Sequence, residues 1–234
     1  MKIAVISIPQ IQQGKHNVKD TRLDQVDKIV KAKKKTYIQI EAVGEKEAFE
    51  ADVILAHADA KSDLILKDLE FVETRLERAS SEEEKAILNR MKAILESEKF
   101  LFGNINFTAD EQKITASYNL VTNKPVVLAQ EAELEDINSL LVKAVKEGGY
   151  ISFFTAGEKD TRAWLIRSGT TAWEAAGAIH SDIQKGFIRA EIISFADYTS
   201  CGGETPAKQA GKQRLEQKDY IMQDCDLANF RFNK

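Results

Sequence analysis

Gly14-Lys15, following the apolar run 2–6 (KIAVI), is the first place where residue type and spacing suggest chemistry. A glycine next to a lysine after a strand supplies part of a phosphate-binding loop. The glycine frees the backbone so that successive N–H groups can face an anion, and the lysine adds charge. The remaining candidates are two cysteines, Cys201 and Cys225, and three histidines, His16, His57 and His180. Two cysteines make no disulfide framework, and the histidines are too dispersed for a ligand set, so no metal site is expected. His57 lies just beyond an apolar run, two residues before Asp59. Cys201 has no basic neighbour within three positions to activate its thiol, and the adjoining Gly202-Gly203 reads as a turn needing positive φ.

The elements that must position these residues follow from the apolar pattern. With 43% hydrophobic and 30% charged residues and three prolines, the 234-residue chain excludes disordered, collagen-like and wholly coiled-coil classes. No apolar stretch has the length of a membrane span and the first residues lack a leader pattern, so no membrane association and a cytoplasmic location are expected. Nine of the twelve glycines lie from Gly148 onward, which places a boundary there and gives two parts, 1–149 and 150–234. In the first part, the continuous apolar runs 2–6, 36–40 (TYIQI), 53–56 (VILA) and 125–129 (PVVLA) suit a parallel sheet covered on both faces.

Between about 63 and 99, two helical stripes meet at Ser81-Glu82-Glu83-Glu84, a capping-box pattern. They predict an antiparallel helical hairpin that projects as an arm and packs mainly on itself. Such an arm is either a contact element or a plain structural hairpin. From Tyr150, five strand-like runs surround a short helix opened by Thr171 and Glu174, which predicts a β-grasp sheet with Trp164 and Trp173 in its core.

The net charge of −4 argues against coating nucleic acid by bulk charge, yet residues 1–35 carry a local balance of +6. Lys31, Lys33, Lys34 and Lys35 are its densest part. They are either a solvated helix end or an RNA-contacting face.

From 151 to 233 the sequence resembles a known family. Phe153-Phe154-Thr155-Ala156-Gly157-Glu158-Lys159, Arg162-Ala163-Trp164, Gly169-Thr170-Thr171-Ala172, Lys185-Gly186-Phe187-Ile188-Arg189-Ala190-Glu191, Gly202-Gly203-Glu204 and Lys218-Asp219-Tyr220 are similar in order and type to the C-terminal TGS domain of the YchF, or Obg-like, ATPases. Weaker similarity reaches 22–35, 68–78 and 120–127. The resemblance implies a reduced P-loop-type α/β domain with strand order 3-1-4-5 in GTPase numbering and a helical arm, followed by a ubiquitin-like TGS domain. It also implies ribosomes or other RNA-containing machinery as partners, and leaves room for a small ligand of the TGS domain.

Against that family pattern, the nucleotide elements look degraded. Gly14 and Lys15 remain, but Ser7 or Ile8 stands for the first glycine, Pro9 lacks an N–H, and His16 replaces the magnesium-binding hydroxyl. Few residues are left for the helix that should present its N-terminus to the phosphates, or for switch I. Glu41-Ala42-Val43-Gly44 stands for Asp-x-x-Gly, and Gln130-Glu131-Ala132-Glu133 for the base-reading Asn-x-x-Glu. The expectation is a vestigial site at Gly14, Lys15, Glu41, Gly44, Gln130 and Glu133, with no catalytic residue and no cofactor. The alternative is residual binding or hydrolysis of ATP or GTP with Mg²⁺.

Overall fold

The computed structural model describes residues 1–233. In chain order its first half contains β1 (Lys2–Ile6), β2 (Gly14–Val18), α1 (Thr21–Val30), β3 (Lys35–Thr36), β4 (Ile38–Val43), β5 (Val53–His57), α2 (Lys61–Arg78), α3 (Glu82–Glu96), α4 (Ala109–Thr115), β6 (Val126–Ala129) and α5 (Ile137–Glu147). The second half contains β7 (Tyr150–Ala156), β8 (Thr161–Arg167), α6 (Ala172–Ile179), α7 (Ser181–Lys185), β9 (Phe187–Ile193), α8 (Phe195–Cys201), α9 (Glu204–Gln209), β10 (Arg214–Glu216) and β11 (Leu227–Phe232). No described helix is long and apolar enough to cross a membrane. The chain forms two units, one from residues 1–16 and 40–148, the other from 17–39 and 149 onward.

The first unit is built on a five-stranded sheet of order β2-β4-β1-β5-β6. The pairs β4–β1, β1–β5 and β5–β6 are parallel, and their order is the one that the family resemblance implies. The apolar runs explain it, since Val53, Ile54, Leu55 and Ala56 have no exposed surface and both faces of β5 are therefore covered. The edge strand β2 was not foreseen. Its sequence GKHNV buries only Val18, so it carries no apolar signal.

Helices α2 and α3 form the expected hairpin, but it does not pack mainly on itself. Val72, Ile87, Leu88, Met91 and Leu95 share a core with Leu101, Tyr118 and Leu120, so residues 100–120 add a third layer. The Ser81 hydroxyl accepts from the Glu84 N–H at 3.1 Å, as a cap should. The Glu84 carboxylate, 8% exposed, turns inward to accept from the Tyr118 hydroxyl at 2.6 Å and Arg75 Nε at 2.7 Å. Those two donors, Tyr118 first, hold its pKa below the usual glutamate value.

The second unit has a six-stranded sheet of order β10-β9-β11-β7-β8-β3. β9 is antiparallel to β10 and β11, β7 is antiparallel to β8, and β11–β7 and β3–β8 are parallel. Helix α6 opens with the expected Thr171–Glu174 box, and its alanines pack on Phe153, Ile166, Phe187 and Phe230. Trp164 packs against this core, with its ring stacked 6.3 Å from that of Phe153. Trp173, expected inside, is 41% exposed, because capping fixes where α6 begins and leaves this residue on its outer side.

Phe153 and Phe154 are successive residues of β7, point to opposite sheet faces, and are both fully buried. The second face is covered by α1, whose Leu23 and Val26 have no exposed surface and which lies against β7, β8 and α8. Residues 17–39, placed in the first part by the sequence boundary at 149, therefore belong to the second unit. Arg22, which also pairs with Asp20 of the same segment at 2.8 Å, fastens it to Asp224 at 2.6 Å. Gly203, at φ +129, approaches Ile29 so closely that a Cβ would lie 3.2 Å from its Cγ2.

Both tryptophans lie in the second unit, so their fluorescence reports its unfolding. Leu23→Ala should cost about 2–5 kcal/mol in the tryptophan-monitored denaturation. An unchanged midpoint would mean that α1 is not part of this core. For the arm, Tyr118→Phe should cost about 1–3 kcal/mol at neutral pH by leaving Glu84 short of a donor. Since the folded Glu84 pKa is depressed, that stability is present above the unfolded value and lost as pH falls through the folded one. The difference in unfolding midpoint between the two proteins should shrink on acidification, and a constant difference would contradict the assignment.

Candidate functional site

After β1 the chain makes a turn instead of a phosphate loop. Ser7 takes the left-handed conformation, φ 58°, and the Ile11 N–H donates to the Ile8 carbonyl at 3.2 Å. Ile8 and Ile11 turn inward, 3% and 6% exposed, so the apolar side chains determine the path of this backbone. Gly14, at φ +123°, then opens β2, and His16 Nε2 lies 2.6 Å from the Gln12 carbonyl oxygen. A triphosphate cradle requires consecutive inward N–H groups leading into a helix N-terminus. Here the chain enters an edge strand, and the next helix, α1, serves the second unit. The residues present do not fit a triphosphate with its magnesium ion.

The remaining vestigial positions fall into separate local groups. Glu41 lies exposed on β4, and Gly44 follows that strand, its N–H donating to Glu47 Oε2 at 3.4 Å. The Gln13 side-chain amide covers Gly44 so tightly that a Cβ there would come within 2.5 Å. Gln130 and Glu133 lie beyond β6. The Gln130 N–H donates to Glu133 at 2.8 Å and Lys143 Nζ donates to the same carboxylate at 2.7 Å, which together hold its pKa below the glutamate range. β2 and β6 are opposite edges of the sheet. The strands that lead to Gly14-Lys15 and Gln130-Glu133 are therefore four spacings apart, roughly 19 Å across the sheet.

The other candidates are structural. His57 Nε2 is 3.1 Å from Glu131 and its Nδ1 accepts from the Asp59 N–H at 3.3 Å, tying the end of β5 to the loop after β6. His180 Nδ1 accepts from the Asp182 N–H at 3.1 Å and caps α7. Cys201 closes α8 beside Gly202 at φ +83° and Gly203 at φ +129°, and burial pushes the Cys225 thiol pKa up.

The basic segment contains two kinds of lysine. Lys35 is engaged: its ammonium is 2.6 Å from Asp24 and 5.2 Å from the centre of the Tyr37 ring, and the Asp24 hydrogen bond raises its pKa. Lys31, Lys33 and Lys34 are exposed. Lys31 ends α1 in the left-handed conformation, φ 56°, with its N–H on the Asp27 carbonyl at 2.7 Å. The Lys33 N–H donates to the Glu158 carbonyl at 3.0 Å, the Thr161 N–H to the Lys34 carbonyl at 2.9 Å, and the Thr36 hydroxyl to Asp160 at 3.1 Å. These bonds bring 33–36 alongside the turn 157–160, which carries the exposed Lys159. Sequence reading missed Lys159 because no local pattern links it to residues more than a hundred positions earlier.

The second unit also holds a groove of about 640 Å³ between the 155–160 turn, Ile179, Ile183 and the edge residues Phe230 and Phe232, with Glu204 and Asn229 as polar lining. Its volume lies within the range of small-molecule sites, roughly 300–1,000 Å³.

Residues 150–233 match the family model YchF-GTPase_C, described as a protein of unknown function (DUF933). The chain is 32% identical over 236 residues to the "Ribosome-binding ATPase YchF" of Bacillus subtilis, an alignment covering 73% of this chain and 64% of that protein. It is 56% identical over 82 residues to the protein of the same name from Haemophilus influenzae, covering 35% of this chain and 23% of that one. The chain thus spans less than two thirds of the length of these relatives. The solved "Structure of the Schizosaccharomyces pombe YchF GTPase" superposes with a TM-score of 0.73 at 20% identity, covering 99% of this chain and 97% of that one, a likeness of fold. With the C-terminal match and the relative aligned across both units, the chain belongs to the YchF family.

Proposed function

We propose that this chain is a non-catalytic member of the YchF family that acts in the cytoplasm by docking on ribosomes or other RNA-containing translation machinery. The observation that carries this reading is the backbone path from Ser7 to Val18, a turn packed by Ile8 and Ile11 followed by an edge strand. Phosphoryl transfer depends almost wholly on positioning and charge neutralisation, with an arginine-finger contact alone worth on the order of 10³ to 10⁵ in rate. A chain with a degenerate P-loop, without a helix N-terminus aimed at the anion, and with its base-reading remnant at the far sheet edge has lost several such contributions together. Hydrolysis of ATP or GTP is accordingly not its activity.

The ribosome enters this reading through the relatives, which bear the name ribosome-binding ATPase. The segment 150–233 is the part of this chain that matches the family model. The lysine-bearing segment 17–39 is built into the same unit as the charge-balanced segment that matches the family model, so the unit that carries this match also carries the net positive charge.

Co-sedimentation with purified ribosomes across a salt series tests the reading. The chain should pellet at low salt with no added nucleotide, leave the pellet as salt rises, and respond to neither ATP nor GTP. Failure to pellet even at the lowest salt would overturn the proposal, as would pelleting that requires a nucleotide and Mg²⁺.

A further inference from the structure

We propose that Lys31, Lys33, Lys34 and Lys159 form one docking face for the sugar-phosphate backbone of double-helical RNA, assembled where β3 adds to the edge of β8. This deepens the RNA-docking function above and rests on it. The face exists because β3 pairs in parallel with β8, Lys35 opposite Thr161 and Thr36 opposite Arg162, and because the Lys33 N–H is held by the Glu158 carbonyl. Lysines from two distant parts of the sequence therefore lie side by side on a hydrogen-bonded edge. All four are exposed, and none takes part in an ion pair among the described residues.

Charge distribution favours a polyanion on this unit. Residues 17–39 carry seven cationic against three anionic side chains, whereas 151–234 is balanced, so the second unit has a formal charge of +4 and the first −8. Glu158 and Asp160 share the neighbourhood, but Asp160 accepts from Thr36, and the four lysines outnumber these acids two to one.

Side-chain type narrows the partner. Lysine is a point charge suited to phosphate oxygens and does not read bases bidentately as arginine does. The two rings carried by β8 and by the residue after β3 are already covered: the Arg162 guanidinium lies 4.0 Å from the centre of the Trp164 ring, and Lys35 sits over Tyr37. Single-stranded RNA is typically gripped by bare aromatic faces on which bases stack. A face with free ammonium groups and covered rings suits a duplex, which presents its backbone and keeps its bases stacked.

The test measures anisotropy of the full chain with a fluorescein-labelled RNA duplex of about 20 base pairs between about 50 and 200 mM KCl. Four phosphate contacts correspond to a slope of log affinity against log salt of about −3 to −4. The triple variant Lys31→Gln, Lys33→Gln, Lys34→Gln should lose at least about tenfold in affinity at low salt and flatten the slope by about 2.5, and Lys159→Gln should flatten it by about 0.9. Lys35→Gln and the first-unit control Lys113→Gln should leave the slope unchanged, with far-ultraviolet circular dichroism confirming that each variant is folded.

An unchanged slope in the triple variant overturns the proposal, as does binding to phosphatidylserine vesicles without binding to RNA. If the chain pellets with ribosomes while the lysine variants keep the parental slope, this face is wrong and the docking function stands. If it neither pellets nor binds the duplex, both are overturned.

Discussion

Everything in this molecule follows from how the residues between β1 and β4 are used. That stretch must supply an edge strand for the first unit and then a helix and a strand for the second. The second commitment is the strong one: Leu23 and Val26 are fully buried, β3 hydrogen-bonds to β8, and Arg22 is tied to Asp224. An amphipathic helix is fixed by the core it fills, since an isolated helix this short is marginal in water. With α1 committed to the second unit's sheet, the residues after Lys15 cannot also form a helix pointing at a phosphate. The turn and edge strand that follow β1 and the lysine-bearing strand edge at β3 are two outcomes of one chain path.

How much of the fold was legible depended on whether burial left a trace in local sequence. The fully apolar β5, the stripes of α2 and α3, and the Thr171–Glu174 cap all announce themselves, because periodicity and capping are local signals. Three features did not. β2 is an edge strand of polar residues with a single buried side chain. The layer over the arm uses Leu101, Tyr118 and Leu120, which are too scattered to show a period. The placement of 17–39 was invisible for a more general reason: a helical stripe shows that one face is buried, without showing which core buries it.

The candidate site divided in the same way. Resemblance identified residue types at Gly14, Lys15, Glu41, Gly44, Gln130 and Glu133, but whether such residues converge depends on strand order and on the shape of the connecting turns. The structure puts Gly14-Lys15 and Gln130-Glu133 at opposite edges and lays the Gln13 side chain over Gly44. Among the lysines, sequence pointed to a run of charge and could not separate Lys35, held by Asp24, from its exposed neighbours or supply Lys159. Salt bridges and parallel strand pairing are non-local, and both decided which charges are available to a partner.

The central claim is that the turn and strand at 7–18 no longer grip a nucleotide. The most direct measurement is a titration of the ¹⁵N-labelled chain with ATP·Mg²⁺ and GTP·Mg²⁺, following the backbone amides of Ile8 to Val18 by NMR. The account expects these amides to stay in place, with no saturable shift at Gly14 or Lys15. A saturable, magnesium-dependent movement of those two amides together with Gln130 would show that a nucleotide bridges the sheet edges, and would contradict it.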